Sequence, residues 1–267
     1  MALRSNIKVI YSSESLPKLQ SPYLICGFPG SGYVGKMAVD HLIQELDAKH
    51  LADIYSTSFP PQVLIRIDGT ADLVKNSLFY LDRSSSSDEN LLLLTGDSQP
   101  ANPDSEYVLA EEILDIATKF DTKQVFTLAA YITGLFVGKP RVFGTATDAD
   151  IVKSFHERNI SIMDGGSITG MNGLLIGIAK LQGIKGTCLL GETSGYVVDA
   201  KASKSILETL ISMVHIKVDM SSLEKRAKDT EMLIQTIEQQ MAGRGTKVSE
   251  GQQATIHGKS SDTGYIS

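Results

Sequence analysis

The chain has 267 residues and a mass of 28.8 kDa, enough for one large or two small domains with a substantial core. Its formal net charge of −6 and its pI of about 5.4 argue against a nucleic-acid or anionic-membrane partner. Trp is absent and aromatic residues make up 6%, which argues against a stacking platform for single-stranded nucleic acid.

Targeting and membrane signals are absent from the sequence pattern. No segment reaches the roughly 18 uninterrupted apolar residues of a membrane span, and the first twenty residues lack the apolar stretch of a signal peptide. Cys26 and Cys188 lie in apolar runs, where cysteine usually acts as a small buried hydrophobe, and they form no disulfide framework. We therefore expect a soluble, cytoplasmic protein.

Short apolar runs alternate with helical patterns, which predicts an α/β fold with a mostly parallel sheet. The runs that predict strands are 23–26, 62–67, 77–81, 90–95, 124–129, 160–163 and 187–190. The 62–67 and 77–81 runs are expected to pair, because Asp68-Gly69 favours a turn between them.

Helical spacing and capping residues predict helices between these runs. The first helix places Val34, Ala38, Leu42 and Leu46 on its inner face. The others run from Pro103 to about Phe120, from the cap Asp148 to about Arg158, through a segment that carries Leu174, Leu175, Ile178 and Leu181 inward, and from about Ala200 to His215.

The first predicted strand leads into a Gly-rich turn, residues 27–36, with the sequence GFPGSGYVGK. Residues 30–35 match the dinucleotide fingerprint GxGxxG, and Gly30, Gly35 and Lys36 match the phosphate loop GxxxxGK. A ligand loop of this kind would offer Gly30, Gly32, Gly35 and Lys36 to an anion.

Two absences favour a structural turn over a ligand loop. The acidic residue that holds a ribose about 20 residues on is missing, since Asp53 precedes its apolar run instead of following it. Met37 also stands where the phosphate loop needs the Mg²⁺-binding Ser or Thr. We expect no cofactor here.

No catalytic or metal-binding pattern emerges elsewhere. A second Gly-rich turn, 164–170, suits either an anion or a tight chain reversal. Glu192 follows a strand and is a candidate general base, whereas Asp199 is the expected N-cap of the next helix. The five histidines lack metal-ligand spacing, and there is no GxSxG nucleophile motif.

The last helix differs in kind from the others. Ser221 and Glu224 form an S-x-x-E capping box. Apolar and small residues then follow heptad spacing, forming a seam of about three heptads: Met220, Leu223, Ala227, Thr230, Ile234, Ile237 and Met241. The seam suits either packing on the chain's own domain or self-association, and it specifies no stoichiometry.

Residues 243–267 are polar and Gly-rich, which predicts a flexible tail. The tail ends with Tyr265, Ile266 and Ser267, where an aromatic and an aliphatic residue return. A docking role for these three residues is one interpretation, and chance composition is the other.

Three motifs together resemble the PAC2 (proteasome assembly chaperone 2) family in its archaeal branch, over roughly residues 5–240. The first is Gly27-Phe28-Pro29-Gly30, the second runs from Gly191 and Glu192 through Gly195 and Tyr196 to Asp199, and the third is the Leu223, Ala227, Ile234 pattern.

The resemblance implies a three-layer α/β/α sandwich similar to nucleoside phosphorylases, without established catalytic residues. It also implies homo-oligomers that bind the 20S proteasome or its α-subunits. In archaeal members the tail ends in hydrophobic–Tyr–any residue, whereas Tyr265 is third from the end here, one position off that register.

The expected organisation is a PAC2-like domain over 1–219, a coiled-coil-like helix over 220–242 and a flexible tail over 243–267. The expected function is a non-enzymatic proteasome assembly chaperone or proteasome-binding adaptor. The alternative is a nucleotide- or nucleoside-binding enzyme, ATP-grasp-like or phosphorylase-like, that uses the Gly-rich loops.

Overall fold

The computed structural model describes residues 6–83 and 89–245, with side chains through residue 236. The strands are β1 Ile7–Tyr11, β2 Tyr23–Gly27, β3 Lys49–Ser56, β4 Val63–Ile65, β5 Ala71–Leu73, β6 Asn76–Leu81, β7 Leu91–Gly96, β8 Gln124–Ile132, β9 Val142–Ala146, β10 Ile160–Ile162 and β11 Gly186–Thr193. The α-helices are α1 Val34–Glu45, α2 Pro103–Lys119, α3 Ala149–Lys153, α4 Gly170–Leu181, α5 Ala200–Val214 and α6 Ser221–Gly245.

Nine of these strands form one sheet, in the order β1-β3-β6-β7-β2-β8-β11-β9-β10. The four central strands, β7, β2, β8 and β11, are parallel to one another. On one side β6, β3 and β1 continue the sheet with antiparallel pairing, and on the other side β9 is antiparallel to β11. The sheet is therefore mixed: the expectation of a mostly parallel sheet holds for its four central strands, and β9 and β10 at one edge are also parallel to each other.

The expected pairing of residues 62–67 with 77–81 is wrong. The Asp68-Gly69 turn instead joins β4 to β5, which form a separate two-stranded sheet. Strand β6 pairs with β3 and β7, where Leu78 is buried in the core. The turn signal correctly marks where the chain reverses, but the strand before the turn pairs with residues 71–73, which are nearer along the chain than residues 77–81.

Helices cover both faces of the sheet, which gives the three-layer α/β/α architecture. One core cluster lies under α2 and α4, and the other lies under α1, α5 and the start of α6. Alternate residues of the central strands divide between the clusters, as the period of two in a strand requires. In β2, for example, Leu24 and Cys26 belong to the first cluster and Tyr23 and Ile25 to the second.

The predicted caps and inner faces are mostly present. Asp148 and Asp199 are the N-caps of α3 and α5, accepting hydrogen bonds from the N–H groups of Asp150 and Ala202. The α1 stripe of Val34, Ala38 and Leu42 is buried. Two expectations are wrong: Leu181, at the end of α4, is 87% exposed, and α3 ends at Lys153, with a short 3-10 turn over His156–Arg158 replacing its predicted last turn.

Helix α6 begins at Ser221 as predicted, but with a different cap. The Asp219 carboxylate accepts hydrogen bonds from the backbone N–H of Ser221 (2.9 Å) and its hydroxyl (2.6 Å). Glu224 instead forms an ion pair with Lys204 of α5 at 3.1 Å. The Asp219 contacts are local to the start of the helix, whereas the ion pair attaches the first turn of α6 to α5.

The seam of α6 is buried within the single chain over its described part. Leu223, Ala227, Thr230 and Ile234 are 1–8% exposed, and Met220 packs half-buried on the same core. Of the two alternatives for the seam, packing on the chain's own domain accounts for these residues. The side chains of Ile237 and Met241 and the tail from residue 246, including Tyr265, Ile266 and Ser267, lie outside the described residues.

Helix α6 crosses one face of the molecule from one end of the sheet to the other. At its start the carbonyl of Asp219 contacts His41, in the second half of α1 (2.8 Å). Eleven residues later Thr230 accepts a hydrogen bond from the N–H of Ala200 (3.4 Å), the first residue of α5, at the carboxyl edge of the sheet. The remaining helix, to Gly245, is about 22 Å long at 1.5 Å per residue and leads the chain beyond that end.

No helix in the described ranges is long and apolar enough to cross a membrane.

If α6 is a structural helix of this domain, truncating its inner face destabilises the fold. We expect Leu223→Ala, at a site 1% exposed, to lower the free energy of unfolding by about 2–4 kcal/mol, since it removes a buried side chain and leaves a cavity. The matched control is Leu233→Ala, at a site 48% exposed on the same helix, with an expected change within about 0.5 kcal/mol. Urea unfolding followed by circular dichroism measures both, and equal effects would contradict the packing of α6.

Candidate functional site

The candidate site is the carboxyl edge of the four parallel strands, where the sequence motifs meet. The first Gly-rich turn follows β2, the Gly191–Tyr196 motif ends β11, and α4 begins after the second Gly-rich turn. In α/β sheets ligand sites usually lie at this edge. The contacts of each loop show whether its polar groups are free to bind a ligand or are already bound within the fold.

The glycines of the first turn allow close packing of α1 on the sheet. A Cβ atom added at Gly35 would collide with the carbonyl oxygen of Leu128 in β8, and one at Gly27 would collide with the carbonyl of Gly35. Gly32 has a φ of +65°, a left-handed conformation that favours glycine. Two of the glycines that match the nucleotide-binding patterns, Gly32 and Gly35, therefore have a structural reason to be glycine, as does Gly27 beside them.

The other marks of a phosphate loop are engaged in contacts within the chain. Lys36 donates hydrogen bonds to Thr95 (3.1 Å) and Asp40 (3.4 Å), and Thr95 donates to Asp40 at 2.6 Å. This closed triad joins α1 to the end of β7. Met37, at the position of the metal-binding hydroxyl, packs against the apolar cluster under α1.

Gln99 ties the first Gly-rich turn to the start of α4. Its amide nitrogen donates to the carbonyl of Pro29 (2.7 Å), and its amide oxygen accepts the N–H of Met171 (3.0 Å). The second N–H of α4 is thus satisfied by a side chain of the same chain, although the first turn of a helix is where an anion would bind. No sequence pattern indicates this role for Gln99, which lies in an ordinary turn segment after β7.

The second Gly-rich turn lies along α4 instead of capping a core strand. It lines an open hollow of about 350 Å³ whose walls are mostly glycine and apolar side chains: Thr145, Met163, Gly165, Gly166, Ser167, Ile168, Gly173, Ile176 and Gly177. No charged side chain lines the hollow, so it lacks a counter-charge for an anion. The geometry of this turn therefore gives no support to the interpretation that it binds an anion.

Glu192 is held as a carboxylate by Arg141. The Arg141 guanidinium makes two hydrogen bonds of 2.9 Å to the two Glu192 oxygens, and its backbone N–H adds a third of 3.2 Å. Arg141 also lies 4.9 Å from the centre of the Phe143 ring, which stacks on Tyr131 at 4.0 Å. These hydrogen bonds hold the pKa of the buried Glu192 carboxyl below its ordinary value, so it is a weak base.

Asp199 connects the two family-motif loops. Its N–H donates to the carbonyl of Gly32 (2.8 Å), and its carboxylate accepts from the hydroxyl of Thr193 (2.7 Å) as well as capping α5. Ser203, one turn into α5, donates to the carbonyl of Val34 at 2.9 Å. The motif polar groups thus satisfy one another and fix the loops in place.

The outer side of these loops, and of the neighbouring loop that follows β8, is apolar. Tyr33, Leu135, Tyr196 and Val198 are 48–76% exposed, and Phe136 packs edge-to-face against Tyr196 with ring centres 6.4 Å apart. We call these five residues the motif-loop surface. Exposed aromatic side chains on a rigid base are typical of contact surfaces for other macromolecules.

The reactive groups elsewhere are also inert in their surroundings. Burial raises the pKa of the Cys188 thiol to about 12 and raises that of Cys26 further. Among the described residues, no group of three or more His, Cys, Asp or Glu side chains is placed to hold a metal ion. The motif-loop surface is a feature of this edge that is open to a partner.

Comparison with known proteins agrees with the fold described above. The model of the PAC2 family matches residues 24–238. The uncharacterised protein MJ1210 of Methanocaldococcus jannaschii is 36% identical over 225 residues, 84% of this chain and 86% of that protein.

Two solved structures from Pyrococcus furiosus are similar over most of their length. PbaB, described as an archaeal proteasome activator, has a TM-score of 0.81 and 36% identity, covering 87% of this chain and 99% of that one. PbaA, described as an archaeal homolog of proteasome-assembly chaperone, has a TM-score of 0.72 and 27% identity, covering 91% and 96%.

If Gly35 serves packing, a single methyl group at that position destabilises the fold. We expect Gly35→Ala to cost about 1–3 kcal/mol, because its Cβ must displace the Leu128 carbonyl or the helix. Gly177→Ala, in the middle of α4 with open space around its Cβ, is the matched control and should stabilise by about 0.5–1 kcal/mol. Thermal unfolding of both variants without added ligand is the measurement. Unchanged stability of Gly35→Ala would contradict the packing role of this glycine and would favour a ligand-binding role.

The Arg141–Glu192 pair predicts a pH-dependent difference between two proteins. Arg141→Gln should lower stability at pH 7 by about 1.5–3 kcal/mol, since a buried carboxylate loses charged hydrogen bonds. The folded-state pKa of Glu192 is lowered, so its contribution is present above the unfolded pKa of about 4.3 and is lost as pH falls through the folded value. The stability gap between wild type and variant should therefore narrow below about pH 4.3.

Urea titrations at pH 7, 5, 4 and 3 follow that gap. Lys153→Gln is the control, because Lys153 and its partner Asp150 are both largely exposed, and the expected change is within about 0.5 kcal/mol at every pH. If the difference in stability between wild type and Arg141→Gln stayed constant across the pH series, Glu192 would not be the cause of that difference.

Proposed function

The chain belongs to the PAC2 family, and on that premise we propose that it is a non-enzymatic proteasome assembly chaperone or proteasome-binding adaptor that acts as a homo-oligomer in the cytoplasm. The observation that carries the proposal is the likeness to PbaB, an archaeal proteasome activator, at 36% identity over 87% of this chain. PbaA, an archaeal homolog of proteasome-assembly chaperone, supports it at lower identity.

The chemistry of the carboxyl edge supports binding over catalysis. Lys36, Glu192 and Asp199, the polar groups that sequence patterns offered for chemistry, each have partners within the fold. A general base must reach a substrate proton with a pKa near the working pH, whereas the pKa of Glu192 is lowered by Arg141. An edge so arranged is suited to present a fixed shape.

The proposed partner is the 20S proteasome or its α-subunits. The tail ending in Tyr265, Ile266 and Ser267 would reach the partner from the end of α6, which leads beyond the carboxyl edge. The motif-loop surface lies on that same edge and would supply the folded part of the contact. The tail and the motif-loop surface would together form a two-part binding site.

A binding measurement with three variants tests this proposal. Immobilised 20S particles from the same organism are titrated with the full chain, with a chain ending at Gly245, and with Tyr196→Ser. We expect the full chain to bind, the truncation to weaken binding at least tenfold, and Tyr196→Ser to weaken it severalfold. Tyr107→Ser is the matched control, since Tyr107 is a similarly exposed tyrosine on α2, and it should bind as wild type does.

Each outcome has a definite meaning. If the full chain did not bind 20S particles, the proposal would be wrong. Equal binding by the truncated chain would remove the tail from it and leave the motif-loop surface.

The competing function, a nucleotide- or nucleoside-binding enzyme, has a separate test. Ligand at about 100 times its dissociation constant stabilises a protein by about 2.7 kcal/mol, a shift easily seen in thermal unfolding. We expect a flat response to ATP, NAD and nucleosides. A clear shift that Gly32→Ala abolishes would favour the enzyme instead.

A further inference from the structure

The β4–β5 hairpin exposes apolar side chains on the face that should be polar. In its register Val63 pairs with Leu73 and Ile65 with Ala71, so these four residues share one face. Leu64 lies on the other face and packs against the core of the domain. The hairpin is therefore apolar on its outer side, while its inner side carries Leu64 and Asp72, which is paired with Arg66 at 2.6 Å.

The exposure of this outer face is large for a free surface. Val63, Ile65 and Leu73 are 50%, 67% and 51% exposed, and Ile67, at the tip, is fully exposed. Each strand has three residues, and a lone two-stranded hairpin is marginally stable in water. Monomeric proteins protect such edges with charges or a covering element, and no described segment covers this one.

A hollow of about 460 Å³ lies at the base of the hairpin. It opens between the hairpin and the segment that follows β3, and its lining contains no charged residue: Tyr55, Ser56, Thr57, Phe59, Pro60, Pro61, Gln62, Val63, Leu73 and Val74. A projecting apolar ridge and an uncharged hollow thus lie side by side on one face.

A ridge beside a hollow of similar polarity is self-complementary. In a two-fold contact the ridge of each copy meets the hollow of the other, which is how an isologous interface uses one patch twice. Each copy carries a net charge of −6, so contact between copies is least repulsive where the surface is uncharged.

The area fits a small, reversible interface. An aliphatic side chain that contributes 1.5–3 kcal/mol corresponds to roughly 60–120 Å² of apolar surface, so the hairpin offers on the order of 250 Å² per copy. Val63 and Leu73 also line the hollow, so their area counts once, and a two-fold contact of ridge and hollow buries on the order of 700 Å², the size of a transient interface.

We propose that the chain self-associates through this surface, with the β4–β5 hairpin of one copy seated against the uncharged hollow of a second copy. The proposal rests on the homo-oligomeric part of the proposed function and replaces the α6 seam as the place of contact. It is independent of what the assembly binds.

The test compares the mass of full-length variants in solution. Ile65→Thr/Leu73→Thr removes apolar surface while Thr keeps the β propensity of the strands. The matched control is Ile162→Thr/Leu181→Thr, at sites 51% and 87% exposed elsewhere. Light scattering after size exclusion, over a dilution series, gives the association constant. We expect the hairpin variant to weaken association at least 100-fold and the control to change it less than threefold.

A second readout does not depend on the hairpin tolerating two substitutions. Ile67→Cys places a thiol at a fully exposed site, while both natural cysteines are buried with raised thiol pKa values. An environment-sensitive dye on this thiol should shift to shorter wavelength on assembly and return on dilution.

Three results would overturn the proposal: a wild-type chain that is monomeric at micromolar concentration, a hairpin variant that associates as the wild type does, or a dye that reports no change on assembly. Assembly that depends on the hairpin without binding of 20S particles would support this surface and defeat the proposed function. Binding of 20S particles by a monomer, lost in the hairpin variant, would assign the hairpin to the proteasome and overturn the second copy as its occupant.

Discussion

The close approach of α1 to the sheet is the constraint on which the rest of the carboxyl edge depends. Gly27 and Gly35 let the helix backbone lie against β2 and β8, at positions where any Cβ atom would collide with a carbonyl group. That approach brings Gly32 within hydrogen-bond reach of Asp199 and the Val34 carbonyl within reach of Ser203. The packing of one helix thereby fixes the loops after two central strands.

A consequence is that one glycine pattern serves two unrelated purposes in α/β proteins. In a dinucleotide loop the glycines allow a pyrophosphate to approach the backbone and allow the helix to pack on the strand. Here the packing role is present, while Lys36 is bound to Thr95 and Asp40 and the N–H of Met171 is bound to Gln99. A strand–turn–helix context is therefore found both in nucleotide-binding loops and in loops whose glycines serve packing alone, and it does not distinguish the two.

Local signals predicted local structure well. The caps Asp148 and Asp199 and the inner stripe of α1 depend on neighbours within one or two turns, and each lies where the sequence placed it. Pairing between distant strands failed, because alternation of apolar residues is the same for any partner. Arg141 and Gln99 were missed for a related reason: each acts across loops about 50–70 residues apart, a distance over which a single sequence carries no signal. The seam of α6 shows the same limit, since a heptad stripe is apolar whether it faces a second helix of the same chain or of another.

The burial of that seam changes where an assembly of this chain would be held. With Leu223, Ala227, Thr230 and Ile234 buried within the chain, the helix acts as a fixed arm that carries the chain from one end of the sheet past the other. The β4–β5 hairpin lies on the same edge, because β6 begins opposite Gly96 at the carboxyl end of β7. Copies joined through the hairpin would each carry one such arm. Several weak tails on one rigid body bind a multi-subunit ring far more tightly than one tail alone, since each binding event raises the effective concentration of the next. A tail whose register departs by one residue from its family's pattern would gain most from that arrangement.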